Sequence, residues 1–138
     1  MGHRRKAREV VLQSLYAQEL TGDPIDEIVA DQLSKATYDE EVTDYARRLA
    51  RQVIEQQAEL DHHIAERATN WDLERIAIID KLILRMGLCE LIHFPDVPAK
   101  VCINESIELA KKYSSADARR FVNGILDAVY KELPREEA

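Results

Sequence analysis

The chain has 138 residues, one domain's worth at roughly 100–200 residues per domain and enough to bury a core without disulfide staples. Glycine and proline together number 8 and aromatics also 8, while 46% of residues are hydrophobic and 33% charged; this balance favours helices and disfavours a turn-rich β sandwich or disorder. The net charge of −7 by itself disfavours a polyanionic partner, but Arg4, Arg5, Lys6 and Arg8 place +4 on the first eight residues and leave −11 on the other 130.

The first helix is predicted over His3–Leu20, with Ala7, Val11 and Leu15 at i, i+4 and i+8, and with Arg5, Arg8 and Gln13 on its polar face. Its apolar run from Val10 to Gln18 is the longest stretch without a charge, nine residues, against about 20 for a membrane span. No small-residue cleavage site follows the basic start, so a cytoplasmic protein without a signal peptide or membrane segment is expected. Thr21-Gly22-Asp23-Pro24 ends this helix and starts the next, with Asp23 as cap and Pro24 at the first helical position. Ile25, Ile28, Val29 and Leu33 form the buried stripe of the second helix. From Glu19 to Glu41 eight acids face the single base Lys35.

Val42, Tyr45, Ala46, Leu49, Val53, Leu60 and Ile64 then hold helical spacing, with a break expected near Leu60 or Asp61. Thr69-Asn70-Trp71-Asp72 reads as a cap, followed from Leu73 by a helix that is apolar almost all round. Its Ile76–Leu91 stretch is the central, most buried element expected. Gly87 inside it costs about 1 kcal/mol against Ala, which predicts a close helix contact there. His93 to Pro98 closes it, and Pro95–Pro98 is the expected hinge between halves. Two helices follow, Ala99–Tyr113 and Ser115–Leu133, the latter capped by Ser114 or Ser115 and facing inward with Ala118, Val122, Ile125, Val129 and Leu133. No segment alternates with period two. Lys100 to Arg120 carries five bases and three acids, a second basic region.

Catalytic motifs are absent from the sequence: no Gly-rich phosphate loop, nucleophile elbow or HExxH. Cys89 and Cys102 lack metal spacing and read as small core residues. Asp61-His62-His63 with Glu59 and Glu66 offers i, i+4 pairs, but a solvated polar face is the plainer reading and no metal is assigned. His93 sits at a helix C-terminus, where a cation suits the dipole. The cluster Arg4, Arg5, Lys6 and Arg8 differs in kind. At a helix start the dipole disfavours it, so either phosphate contact by a flexible arm over about residues 1–8 or a solubilising terminus explains it. Tyr16 and the run Arg119-Arg120-Phe121 place aromatics beside charge, the combination that holds single-stranded nucleic acid, although each ring alone also fits a core.

Three blocks carry a family resemblance: RRKAREVVLQSLYAQEL at 4–20, IDKLILRMGLCEL at 79–91, and DVPAKVCINESIELAKKYSSADARRFVNGILD at 96–127. Over essentially its whole length the chain resembles the NusB family of bacterial transcription antitermination factors. The resemblance implies an all-α fold of about seven helices in two packed bundles, acting as a single RNA-binding domain over 1–138. It implies no enzymatic activity and no cofactor. Its implied partners are single-stranded boxA-type leader RNA, the ribosomal protein NusE as a heterodimer, and through them the elongation complex that reads ribosomal RNA operons. By similarity the RNA-binding residues are Arg4, Arg5, Lys6, Arg8, Tyr16, Asp117, Arg120 and Phe121, with Asn123 and Gly124 as packing residues and Asp80 as a partner-binding residue. Two alternatives stand beside it: an accessory domain of the kind found in ribosomal RNA methyltransferases, and a protein-interaction adaptor working as a homodimer.

Overall fold

The computed structural model describes residues 2–68 and 75–134. The cap expected at Thr69-Asn70-Trp71-Asp72, and Leu73, lie outside the described residues. Seven α-helices and no strand are present among the described residues: α1 (Gly2–Thr21), α2 (Ile25–Leu33), α3 (Glu40–Glu55), α4 (Gln57–Arg67), α5 (Ile78–His93), α6 (Ala99–Tyr113) and α7 (Ala116–Glu132). They fall into two compact units, Met1–Glu55 and Gln56–Ala138.

The first unit packs α1, α2 and α3 together. Ala7, Val10, Val11 and Leu15 of α1, Val29 and Leu33 of α2, and Val42, Ala46, Leu49 and Val53 of α3 are buried, each set at the spacing that keeps one helix face inward. Ser14 is also buried, and its hydroxyl donates to the Val10 carbonyl at 2.7 Å, so no polar atom is stranded there. Gly22 ends α1 with φ of +75°, a left-handed conformation that glycine adopts without strain. The cap of α2 is Pro24, whose carbonyl accepts from Glu27 and Ile28. This moves the expected start by one residue, because Asp23 instead donates its backbone N–H to the Thr21 hydroxyl at 3.2 Å. Residues 2–8, expected as a flexible arm, are the first turns of α1.

The second unit packs α5 against α4, α6 and α7. Every residue from Leu82 to Leu91 is buried, as expected of the central helix, although α5 begins at Ile78 and Ile76 is buried ahead of it. A methyl added at Gly87 would run into the Ser106 hydroxyl of α6 and come within 3.1–3.2 Å of Leu126 of α7, so this glycine sets how closely three helices approach. Ser115 caps α7, accepting from Ala118 N–H at 3.2 Å. Asn123 and Gly124, read from the resemblance as packing residues, are exposed. They lie about 100° and 200° around α7 from buried Val122.

The units divide between Glu55 and Gln56, not at Pro95–Pro98. Phe94 and Val97 in that connection are 1% and 0% exposed, and the helices on either side pack on each other, which makes it a buried corner. The break in the long apolar pattern likewise falls at Gln56, four residues before Leu60, which sits buried inside α4.

Candidate nucleic-acid interface

In the first unit the four clustered cations do not share a face. Arg5 and Lys6 are exposed. Tyr16, 39% exposed, lies eleven positions after Arg5, close to three helical turns, so ring and guanidinium occupy the same outer strip of α1. Arg4 and Arg8, at i and i+4, point the other way, toward Tyr45 of α3. The Arg4 guanidinium carbon lies 4.6 Å and that of Arg8 5.8 Å from the Tyr45 ring centroid. Arg8 is only 3% exposed, which corrects its expected position on the polar face. An aromatic face within about 6 Å attracts a guanidinium, and a buried arginine stem adds packing. His3 and Asp39 pair at 3.0 Å beside this group.

In the second unit Asp117, Arg120 and Phe121 stand at i, i+3 and i+4 on α7, which places them on one face. Asp117 and Arg120 are exposed and Phe121 is half-buried. Asp117 and Phe121 line a cavity of about 290 Å³ together with Asp80, Arg75, Ile76 and Ser115. Asp80, half-buried in the first turn of α5, accepts a hydrogen bond from the Ser114 hydroxyl at 2.6 Å. The cavity therefore joins a ring face, two carboxylates and the Arg75 guanidinium. A ring face can stack a base, and a carboxylate can accept from base amino groups.

Sequence reading missed three features. Tyr45 reads as an ordinary core position because its spacing matches Val42 and Leu49. Arg75 belongs to no motif. Arg47, Arg48 and Arg51 stand at i, i+1 and i+4 on the outer face of α3 and line a shallow concavity of about 400 Å³, a spacing that sequence alone could have flagged. Of these, Arg51 is held by Asp26 of α2 through two bonds of 3.1 and 3.3 Å, and that hydrogen bond raises the guanidinium's pKa above its usual value.

Two of the carboxylates considered for a metal are held by residues outside that set, while His62 and Glu66 pair with each other. Asp61 pairs with Arg85, Glu59 with His93 at 2.6 Å, and His62 with Glu66 at 3.1 Å. Among the described residues no three His, Cys, Asp or Glu side chains are grouped to hold a metal ion. Cys89 and Cys102 are buried thiols. No helix of the described residues is long and apolar enough to cross a membrane.

A family model for the NusB family matches residues 5–131. The transcription antitermination protein NusB of Symbiobacterium thermophilum is 43% identical over 138 residues, covering 94% of this chain and 90% of the relative. That of Chloroherpeton thalassium is 41% identical over 131 residues, and the match spans 94% of this chain but 62% of that longer relative. Among solved structures, NusB from T. maritima superposes with a TM-score of 0.87 at 35% identity, over 94% of this chain and 91% of that one. A crystal structure of the antitermination factors NusB and NusE in complex with dsRNA contains a chain with a TM-score of 0.86 at 27% identity, over 96% and 99%.

Proposed function

This chain belongs to the NusB family, and we propose that it acts as one domain, a cytoplasmic transcription antitermination factor that binds boxA-type leader RNA together with NusE. In this role it keeps RNA polymerase elongating through ribosomal RNA operons. The observation that carries the reading is the likeness, across 96% of this chain, to a NusB solved with NusE and RNA. The local chemistry supports it. Arg5, Lys6 and Tyr16 present cations and a ring on one helix, and Asp117, Arg120 and Phe121 present the same mixture on another.

Physical chemistry also explains why a partner is needed. With −11 outside its first eight residues, the chain repels RNA at long range and attracts a basic protein. A cationic NusE docked on it supplies phosphate contacts that this chain lacks. The RNA in that solved complex is double-stranded, whereas exposed rings favour unpaired bases that can stack. Labelled boxA RNA, single-stranded and as a duplex, titrated with and without NusE tests the reading. The expected result is tighter binding of the single strand, strengthened about 5- to 150-fold by NusE. RNA affinity indifferent to NusE would remove the heterodimer, and preference for the duplex would remove base stacking.

A further inference from the structure

Four cations in the first two turns of a helix meet two penalties: the N-terminal end of the macrodipole is positive, and Arg4 and Arg8 are like charges at i, i+4. A third applies to Arg8, which at 3% exposure has lost most of its water. Tyr45 answers all three at once. Its ring, on α3 and 6% exposed, lies within 4.6 Å of one guanidinium carbon and 5.8 Å of the other, and its negative π face attracts both.

We propose that Tyr45 is a positioning residue for RNA binding, holding the Arg4 guanidinium by its face so that its N–H edge is presented to a phosphate. This role rests on the RNA-binding reading above. A guanidinium stacked on a ring uses its π face and keeps its in-plane donors directed away from the ring, where a phosphate can compete for them with bidentate geometry. Arg4 remains exposed while so held, unlike Arg8, so Arg4 is the member of the pair that can reach a ligand. Arg8, buried against the same ring at 5.8 Å, acts as the inner member of the pair. Ordering a long side chain before binding removes an entropy cost that would otherwise be met on the RNA.

The test is a double-mutant cycle on the intact protein with NusE, read as Kd for a labelled single-stranded boxA RNA. Tyr45→Phe keeps the ring and is expected to bind as wild type. Tyr45→Leu is expected to bind about 3- to 10-fold more weakly, and Arg4→Ala/Tyr45→Leu no more weakly than Arg4→Ala alone, because the ring acts through Arg4. Losses that multiply in the double variant overturn the role, since a purely structural tyrosine would weaken binding whatever stands at position 4. A measurement without any core substitution runs in parallel. Nitrogen-15 relaxation of the arginine side chains in the free protein should show the Arg4 Nε–H restricted relative to that of exposed Arg47 on α3, and equal mobility overturns the role even if Tyr45→Leu does not fold. Wild-type protein that binds no RNA with NusE present overturns the RNA-binding reading and this role with it, whereas wild-type binding unaffected by Tyr45→Leu overturns the role alone.

Discussion

Arg85 of α5 grips Asp61 of α4 with two parallel bonds, Nε to Oδ1 at 2.7 Å and Nη2 to Oδ2 at 2.9 Å. The Arg85 side chain is 5% exposed and that of Asp61 24%, so the pair lies at the edge of the core. Removing one member of a buried pair leaves the other charge poorly solvated, at about 3–5 kcal/mol. Asp61→Asn is therefore expected to lower unfolding free energy by that amount, measured by urea denaturation. A change below about 1 kcal/mol would show that water or another group compensates Arg85.

Two glycines make opposite predictions. Gly87→Ala gains roughly 1 kcal/mol of helix propensity, but its methyl collides with Ser106 and crowds Leu126. Overpacking costs typically 1–3 kcal/mol, so net destabilisation is expected. Gly124 lies in α7 with nothing within 4 Å of an added methyl, so Gly124→Ala is expected to stabilise by about 0.5–1 kcal/mol. A raised melting temperature for Gly87→Ala would contradict the packing there, and a lowered one for Gly124→Ala would contradict the open space beside α7.

The sequence exposes what is local and hides what is tertiary. Ser115, one of the two serines read as its cap, caps α7, and α6 spans Ala99–Tyr113 as read, because capping and proline geometry are decided within a few residues. The break at Gln56 is not legible: Val53 and Leu60 lie seven residues apart, about two turns, so the apolar pattern runs through it unbroken. Arg8 reads as polar surface because nothing nearby in sequence announces the Tyr45 ring, 37 positions on. In the candidate site, Tyr16 and Phe121 could be named from residues beside charge, and Asp117 from resemblance. The Ser114–Asp80 bond and the approach of Arg75 depend on how α5 meets α7, which no short motif encodes.

The burial of Arg8 changes the expected salt dependence. Only Arg4, Arg5 and Lys6 of the cluster are exposed, and three phosphate contacts at about −0.7 each predict a log–log slope near −2 from this cluster. The double variant Arg5→Ala/Lys6→Ala should flatten the measured slope by about 1.4. Arg8→Ala should leave the slope unchanged and instead cost about 1–3 kcal/mol of stability, since its stem and guanidinium pack in the first unit. A slope that flattens with Arg8→Ala in a fully folded protein would return Arg8 to the RNA surface.

Phe121 separates RNA contact from partner contact. It is half-buried on α7 and lines the same cavity as Asp117 and Asp80, so its truncation could act on a stacked base, on the partner or on folding. Loss of one base stack costs about 1–3 kcal/mol, so Phe121→Ala should weaken RNA binding roughly 5- to 150-fold. Its NusE affinity measured without RNA should stay within about twofold of wild type, because that measurement contains no stacked base. Asp80→Ala removes the acceptor of the Ser114 hydroxyl and the cavity's second carboxylate, and is expected to weaken NusE in the absence of RNA. Linkage supplies a cross-check: if RNA and NusE favour each other by a given factor, any variant that lowers this coupling must do so equally from either side. Equal losses of RNA and NusE affinity in Phe121→Ala, with a lowered melting temperature, would identify Phe121 as a core residue of the second unit and leave the RNA contacts of α7 to Arg120.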